Sequence, residues 1–322
     1  MTAPDPREND CLFGHDAAEK TLAAALSGGR LHHAWLISGP EGVGKATLAF
    51  RFARRLLAGG LALDGGLALE PKHPVFHRVA AATHADMLTV EREWDDKKKR
   101  VKKYISAESA REIPSFLRLT PAEGGWRVVV VDGAEDMNAQ SANALLKVLE
   151  EPPSRALLIL TTAMPGRLLP TLRSRCRKLA LSPLADTAMH HVLARFLPAS
   201  SEADRARLIA LSEGCPGRAL MLAEQGGLAI AGLVDQVMQA TPGFPPLRAY
   251  EIADGLKDED PFDLFFTLLR ARIADSASAA ARAAAPARDW NELWFRLGEI
   301  HAETGRHNLD RRQAVVAGLG LL

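Results

Sequence analysis

The sequence predicts an α/β domain built on a parallel sheet, followed by a region made only of helices. Two observations predict the sheet. Residues 34–37 are a short apolar run directly before a glycine-rich loop, and residues 128–131 are a β-branched run followed by Asp132. Buried parallel strands have this continuous apolar character, and strands that alternate with helices favour a parallel sheet. From residue 182 onward, helical patterns are separated by breaks rich in Pro, Gly or Asp, which predicts the helical region.

The bulk composition is that of a globular protein. Hydrophobic residues make up 47% of the 322 residues and charged residues 25%, which fits two or three domains. The first residues are polar, no apolar run approaches the roughly 20 residues of a membrane span, and the three cysteines are far apart. We therefore expect a cytoplasmic protein without a disulfide framework. A net charge of +1 argues against a strong autonomous DNA-binding protein and leaves DNA as a partner met through a complex.

The first elements surround a phosphate-binding loop. Residues 16–27 have an apolar helical face and end at a Ser-Gly-Gly turn, and residues 34–37 are the strand before the loop. The loop has the pattern Gly-x-x-x-x-Gly-Lys, and a helix with an apolar face then runs to the glycine pair 59–60. Backbone N–H groups of such a loop hold phosphates, and its lysine reaches them. The predicted nucleotide-binding residues here are Gly39, Gly42, Gly44, Lys45, Ala46 and Thr47.

One residue of this loop departs from the pattern. A Ser or Thr normally follows the lysine and its hydroxyl binds Mg²⁺, but Ala46 has no hydroxyl. Thr47 has one, yet a shift of one residue turns a helical side chain by about 100°. The loop therefore predicts binding of ATP or ADP, with Mg²⁺ held weakly or not at all. A plain glycine turn between a strand and a helix is the alternative.

The stretch after this helix is less informative. Residues 59–80 show no clear period, and residues 87–90 predict a second strand. Residues 97–103 form a dense basic run, with six lysines and arginines in seven positions. We interpret the run as a solvated hairpin or loop tip, and contact with DNA phosphates is the alternative.

The run that ends in Asp132 has the pattern of a Walker B strand. Its aspartate would hold Mg²⁺ at the carboxyl end of a parallel strand. Many ATPases of this kind place a glutamate next, to orient the attacking water, but here the next residue is Gly133. A capping or ion-pair role is the alternative for Asp132. The following strand ends in Thr161 and Thr162, whose hydroxyls we expect at the same edge of the sheet, with Thr162 as part of the nucleotide site.

Three longer segments carry a family resemblance. Residues 143–153, NALLKVLEEPP, are similar to a segment of bacterial clamp-loader subunits of the AAA+ class, and residues 168–176, LLPTLRSRC, resemble their TxxSRC segment. Residues 132–138, DGAEDMN, look like the delta prime version of the Walker B region rather than the gamma/tau version, which has Asp-Glu-Val-His. With the phosphate-binding loop, these motifs span residues 14–177.

The resemblance implies a AAA+ module, a small helical lid and a helical collar through which such subunits form an open pentameric ring. In that family the ring contains gamma/tau and delta subunits, opens the β sliding clamp and places it on primer–template DNA, driven by ATP in gamma/tau. The resemblance also implies a stator-like delta prime subunit of the DNA polymerase III holoenzyme with little or no ATPase activity. Arg175 would act as an arginine finger in the ATP site of a neighbouring gamma/tau subunit. An internal ion pair is the alternative for Arg175.

Two departures from the family matter. Some members carry a four-cysteine zinc module after the loop helix, but residues 59–90 contain no cysteine. The spacing of His73, His77 and His84 also matches no common zinc site, so we predict no zinc. The chain does keep the Gly-Lys pair of the loop, which some delta prime subunits have lost, so nucleotide binding stays open.

The resemblance and the breaks in the helical patterns set three predicted domains. These are the AAA+ domain at 1–181, the lid at 182–227 and the collar at 228–322. Arg218 lies near a position where the family can have a sensor arginine, and an exposed arginine at a helix start is the alternative. In the collar, we expect the bulky core from Trp290, Leu293, Trp294, Phe295 and Leu297.

Two other functions stay open at this level. A motor ATPase of the gamma/tau type would show Mg²⁺-dependent turnover, and Ala46 and Gly133 count against it. A stand-alone P-loop phosphotransferase is disfavoured by the SRC segment and by the helical C-terminal region.

Overall fold

The chain folds into two compact units, Met1–Leu220 and Met221–Leu322. The computed structural model describes residues 4–29, 31–60, 66–96, 99–283 and 289–322. The three-domain division stays a prediction.

The helices and strands from residue 16 to residue 224 alternate as an α/β domain does and end in three consecutive helices. In chain order they are α1 (Asp16–Ser27), β1 (Ala34–Ser38), α2 (Lys45–Leu57), α3 (Pro74–Ala80), β2 (Met87–Val90), β3 (Trp94–Asp95), β4 (Arg100–Val101), α4 (Ala107–Arg118), β5 (Arg127–Val131), α5 (Ala139–Glu150), β6 (Ala156–Thr162), α6 (Pro170–Ser174), β7 (Arg177–Ala180), α7 (Asp186–Phe196), α8 (Glu202–Ser212) and α9 (Pro216–Glu224).

Five strands form one parallel sheet in the order β2-β5-β6-β1-β7. The predicted strands are confirmed, and β5 and β6 are buried along their whole length, as their apolar runs require. Ser38 pairs with Thr162 in the register of β1 and β6. Because parallel strands end at the same edge of a sheet, the loop after β1 lies beside the ends of β5 and β6.

Helix α2 lies in the middle of the first unit. Its predicted apolar face is buried, and so are Phe50 and two arginines, Arg51 and Arg54. Arg54 stacks over Phe76, with the guanidinium carbon 4.2 Å from the ring centroid. A helix buried nearly all round is part of the core, so its arginines need internal partners.

Three helices of the first unit were not predicted, namely α3, α4 and the short α6. In α3, the Nδ1 atom of His73 accepts the first free N–H, from Val75, a role that Ser, Thr, Asp or Asn usually fills. In α4, Pro114 lies inside the helix and obscures its pattern, although Ser106 caps the start. The predicted hairpin at the basic run is present as β3 and β4, but Lys97 and Lys98 lie outside the described residues.

The second unit consists of helices throughout its described part. They are α10 (Gly227–Gln239), α11 (Pro246–Asp254), α12 (Glu259–Arg282), α13 (Trp290–His307) and α14 (Arg311–Leu319). The alanine-rich residues 277–281 form the end of α12, as suits a strong helix former. No helix in the described ranges combines the length and hydropathy needed to cross a membrane.

The core of the second unit corrects one expectation. Phe262, Phe265 and Phe266 of α12 are fully buried, and Leu293 and Leu297 of α13 pack as expected. In contrast, Phe295 is 65% exposed, and Trp290 and Trp294 are only half-buried. Residues 293 and 297 are one helical turn apart, so residue 295 between them points away from the core. The prediction of a core residue was therefore wrong at Phe295, whereas Trp290 and Trp294 are partly buried beside that core.

Candidate nucleotide-binding site

The predicted loop lies between the end of β1 and the start of α2. The N–H of Gly39 donates to the carbonyl oxygen of Thr162 at 3.2 Å, which ties the loop to the end of β6. Helix α2 starts at Lys45, and the N–H groups of its first turn have no acceptor within the helix. Such a turn attracts anions through these N–H groups and the helix dipole. The sequence fixes this local geometry through the glycines of the loop.

The lysine of the loop is directed back onto the loop itself. The Nζ atom of Lys45 donates to the carbonyl oxygens of Gly39 at 2.9 Å and Pro40 at 2.7 Å. Burial lowers the pKa of Lys45, and the carboxylates of Glu135 and Asp132 oppose that shift. The ammonium group is thus held at the loop, near the carboxylates of Glu135 and Asp132.

The start of α9 closes one side of the loop through backbone contact. The N–H of Gly217 donates to the carbonyl oxygen of Gly42 at 2.8 Å. A Cβ atom on Gly42 would lie 2.6 Å from the backbone nitrogen of Arg218, and the φ of Gly42 is +75°. Only glycine fits at position 42, for both reasons. The requirement at this position therefore comes from α9 as well as from the phosphate-binding loop.

Residues 4–13, here called the N-terminal strap, form another wall. The guanidinium of Arg54 donates to the carbonyl oxygens of Arg7 at 2.6 Å and Asn9 at 2.7 Å. Arg51 donates to the carbonyl oxygen of Asp10 at 2.5 Å and forms an ion pair with Glu19 at 2.6 Å. Burial lowers the pKa of Arg54 to about 10, so the group stays protonated at neutral pH. Sequence reasoning missed the strap, although the three arginines 51, 54 and 55 among the apolar residues of α2 were a signal that this helix needs polar partners.

The acidic side of the site is occupied by internal contacts. The hydroxyl of Thr161 donates to Oδ1 of Asp132 at 2.5 Å and accepts the N–H of Gly133 at 3.1 Å. The N–H of Ala163 donates to Oε1 of Glu135 at 2.7 Å. The other oxygen of Glu135, Oε2, is buried and has no hydrogen-bond partner among the described residues. As predicted, Asp132 and Thr161 lie together at one edge of the sheet.

Asp136 adds a third carboxylate to this side. Its Oδ2 atom lies 3.0 Å from Nε of Arg92, and burial raises the pKa of the carboxyl group. The hydroxyl of Thr162 accepts the N–H of Met164 at 3.1 Å and so caps its own turn. Thr162 is fully buried and is not among the residues that line the cavity described next.

A cavity of about 900 Å³ lies between these walls. Its lining combines the strap, residues 41–47 of the loop, the acidic residues and apolar side chains of α7 and α9 such as Val192, Phe196 and Leu220. Concave sites of this size with a few polar groups suit nucleotide-sized ligands. The residues fit a nucleotide, with Lys45 and the first turn of α2 at its phosphates. They fit Mg²⁺ poorly, because Ala46 has no side-chain oxygen and Oδ1 of Asp132 already accepts the hydroxyl of Thr161.

Arg175 lies apart from this cavity. It follows α6, and its guanidinium donates to the carbonyl oxygen of Thr171 at 2.8 Å and forms an ion pair with Glu150 at 2.7 Å. About one third of its side chain is exposed. The ion pair that sequence analysis gave as the alternative is present, and the role of Arg175 towards another subunit stays a prediction. Cys176 next to it is buried, and burial raises its pKa to about 12, as suits a packed side chain.

The remaining candidates have structural partners. Arg218 lies 3.4 Å from Glu213 in an ion pair and does not line the cavity. His73 caps α3, and His84 is buried with Nδ1 accepting the N–H of Asp86. In the part of the chain that the structure describes, no three His, Cys, Asp or Glu side chains come together as a metal site would need. The absence of zinc stays a prediction.

Comparison with known proteins supports the family suggested by the motifs. A family model described as "DNA polymerase III, delta subunit" matches residues 14–185. The DNA polymerase III subunit delta' of Pseudomonas aeruginosa is 36% identical over 73% of this chain and 67% of that protein. The subunit tau of Escherichia coli is 30% identical over 90% of this chain but only 42% of its own length.

The fold also has a solved counterpart. The crystal structure of a DNA polymerase III gamma subunit-related protein from Thermotoga maritima superposes with a TM-score of 0.55 at 16% identity, covering 96% of this chain and 98% of that chain. The predicted fold class, a AAA+ module of a parallel sheet with flanking helices followed by further helices, is confirmed. The chain belongs to the DNA polymerase III delta-subunit family, within the clamp-loader group of delta' and gamma/tau subunits.

Proposed function

We propose that the chain is the delta prime subunit of a DNA polymerase III clamp loader and that it binds nucleotide without hydrolysing it efficiently. The observation that carries this proposal is the state of the acidic side of the cavity. Asp132 is bonded to Thr161, and the following residue is Gly133 instead of a glutamate. With Ala46 in the loop, the hydroxyl that would hold Mg²⁺ is missing, and Oδ1 of Asp132 is already bonded within the chain.

In this proposal the chain works on a neighbour's nucleotide through Arg175. Its ion pair with Glu150 is partly exposed, with about half of the Glu150 side chain in solvent. Exposed ion pairs contribute only about 0.2–1 kcal/mol, so a phosphate group could replace the carboxylate at little cost. The partners are gamma/tau and delta subunits in a pentameric ring in the cytoplasm, with the β clamp and primer–template DNA as the targets of the complex.

The test uses the assembled loader with gamma/tau, delta, β clamp and primed DNA. Arg175→Ala should lower the ATPase rate of the complex by about 10³-fold, the lower range for an arginine supplied in trans. Glu150→Gln is the matched variant, because it breaks the same ion pair and keeps the arginine. If the two variants behave alike, Arg175 serves only the internal ion pair and the finger assignment is wrong.

A second candidate, a motor subunit of the gamma/tau type, has two observations in its favour. The loop keeps its lysine, Lys45, in place through two backbone carbonyls. In addition, Oε2 of Glu135 lies buried beside the cavity without a partner among the described residues. This candidate expects Mg²⁺-dependent turnover by the purified chain that both Lys45→Ala and Glu135→Gln abolish. We expect no turnover above background, measured as phosphate release.

A further inference from the structure

The cavity beside the phosphate-binding loop is lined by more negative than positive side chains. Among the residues that the structure describes, its cations are Lys45, Arg92 and Arg167. Its carboxylates are twice as many, namely Asp5, Glu41, Glu91, Asp132, Glu135 and Asp136. Phosphates are themselves negative, so the lining disfavours each additional phosphate unless a cation accompanies it.

Three of the six carboxylates have arginine partners. The guanidinium of Arg7, behind the lining, lies 3.2 Å from Asp5 and 2.6 Å from Glu91, so one arginine serves two carboxylates. Oδ2 of Asp136 lies 3.0 Å from Nε of Arg92. The other three carboxylates lie around the lysine of the loop.

Lys45 faces these three carboxylates with a single positive charge. Burial lowers the pKa of Lys45, and the charges of Glu135, Asp132 and Glu41 oppose that shift. Oε2 of Glu135 is buried, and it has no hydrogen-bond partner among the described residues. A phosphate next to such an oxygen is repelled strongly, because little water lies between the two charges to screen them.

The two arginines of the lining do not reverse this balance. Burial raises the pKa of Asp136, Arg92 and Arg167 oppose that shift, and Glu135 and Glu41 add to it. Two arginines against Asp136 leave one positive charge, whereas the lysine against its three carboxylates leaves two negative charges. This part of the cavity is therefore net negative before any phosphate enters it.

A P-loop site normally offsets such repulsion with Mg²⁺, which bridges the second and third phosphates of ATP. Here Ala46 lacks the hydroxyl for the metal, and Oδ1 of Asp132 already accepts the hydroxyl of Thr161. The donors that remain for phosphates are Lys45 and the N–H groups in the first turn of α2. These donors suffice for two phosphates, whereas a third phosphate adds charge to the acidic side without a cation to offset it.

We propose that the cavity takes a nucleoside diphosphate such as ADP in preference to ATP, and that it does so without Mg²⁺. This inference rests on the proposed nucleotide binding and adds the class of ligand to it. The preference arises from carboxylates that a P-loop site with bound Mg²⁺ would neutralise. The chain would then keep a diphosphate at its loop while ATP is present in solution.

The experiment titrates the full chain with ADP and with ATP in EDTA by isothermal titration calorimetry. ADP should bind about 10-fold more tightly than ATP, since one more phosphate close to unpaired carboxylates has an effect of at least this order. With Mg²⁺ in place of EDTA, the affinity for ADP should change by less than about 3-fold. AMP-PNP, an ATP analogue that resists hydrolysis, should still bind more weakly than ADP.

The repulsion is tested by the double variant Asp132→Asn with Glu135→Gln. It should raise the affinity for ATP about 10-fold and change that for ADP by less than about 3-fold, because it removes two negative charges and keeps oxygens that can accept the same hydrogen bonds. The control is Asp275→Asn with Glu303→Gln, which removes the same charge from exposed positions outside the lining and should keep the preference for ADP. Unchanged thermal melting shows that the variants are folded.

The role of the missing hydroxyl is tested by Ala46→Ser. This variant should bind AMP-PNP about 10-fold more tightly with Mg²⁺ than in EDTA, whereas the natural chain should show less than about a 3-fold difference. If Ala46→Ser does not respond to Mg²⁺, the missing hydroxyl is not the cause, and the part of the proposal that concerns the metal ion is wrong.

The outcomes that contradict the proposal are distinct from those that contradict nucleotide binding itself. Affinity for ATP equal to or above that for ADP in EDTA would overturn the preference alone, and would indicate that Arg92 and Arg167 receive the third phosphate. Tightening of ADP by Mg²⁺ of about 10-fold or more in the natural chain would overturn the independence from the metal ion. Binding of neither nucleotide would overturn the proposed nucleotide binding together with this inference.

Discussion

The phosphate-loop side and the acidic side of the cavity differ in what their polar groups contact. On the loop side, the first turn of α2 keeps N–H groups directed at the cavity, and Lys45 is bonded only to backbone carbonyls. On the acidic side, Asp132 is bonded to Thr161, Glu135 to a backbone N–H and Asp136 to Arg92. The loop side can still receive phosphates, whereas on the acidic side each of the three carboxylates already has an internal contact, and Oε2 of Glu135 is the oxygen left without a partner among the described residues.

The difference shows that binding and hydrolysis depend on different parts of a P-loop site. Binding relies on backbone geometry, which the glycines and the α9 contact maintain together with the fold. Hydrolysis relies on a few side-chain oxygens, and their loss leaves the sheet and the loop intact. A subunit that contributes to chemistry elsewhere can therefore keep the first part and lose the second.

The largest expected effect separates the two sides directly. Lys45→Ala should weaken the binding of ADP about 100-fold, because hydrogen bonds to charged groups contribute about 1.5–3 kcal/mol. Asp132→Asn should change the affinity by less than about 3-fold, since its carboxylate is held by Thr161. Isothermal titration calorimetry measures both. A comparable loss in the two variants would show that Asp132 does contact the ligand or its metal ion.

The second largest effect is expected at Arg54, which holds the N-terminal strap. Arg54→Met should lower the free energy of unfolding by about 2 kcal/mol, because it leaves the carbonyl oxygens of Arg7 and Asn9 buried without a donor. It should also weaken nucleotide binding by releasing the N-terminal strap. Chemical denaturation measures the first effect. The control is Arg118→Met at the exposed end of α4, which should stay within about 0.5 kcal/mol of the natural chain.

A smaller effect is expected on the acidic side at Gly133. Its φ is +75°, and a Cβ atom there would lie 3.0 Å from Oδ2 of Asp136. Gly133→Ala should lower the free energy of unfolding by about 1 kcal/mol through left-handed strain. Gly133→Glu should give no ATP turnover, since the backbone there does not suit a side chain. Gly166→Ala has open space around it and serves as the control. Turnover in Gly133→Glu would mean that this side is closer to an active site than its contacts indicate.

The smallest effect is a pH dependence at Asp136. Burial raises the pKa of this carboxyl group in the folded chain above the value of about 3.9 in an unfolded one. The unfolded state therefore loses this proton first, so the stabilisation present at low pH is lost as the pH rises through the folded pKa. Asp136→Asn should remove this loss and raise stability at neutral pH relative to the natural chain. Denaturation at several pH values tests the sign, and a lower stability of Asp136→Asn at neutral pH would contradict it.

Much of the sheet edge was predictable, because local patterns dictate it. The apolar runs before Gly39 and Asp132 define strands, and the parallel arrangement then brings Asp132 and Thr161 to one edge. The helix after Lys45 followed from its periodicity. The wrong expectation at Phe295 arose because bulky residues were counted without their phase on α13, where residues 293 and 297 face the core.

Sequence patterns were sufficient to predict the strand–loop–helix cradle, the strands β1, β2, β5 and β6, and the missing side-chain oxygens at Ala46 and Gly133, because these depend on neighbours in the chain. Only the tertiary structure decided which distant groups complete the cavity. The carbonyls that hold Arg54 are more than forty residues away, and the contact of Gly42 with Gly217 spans most of the first unit. Each of these contacts has at least one backbone group as a partner, and backbone groups are the same in every residue, so they leave no pattern to detect.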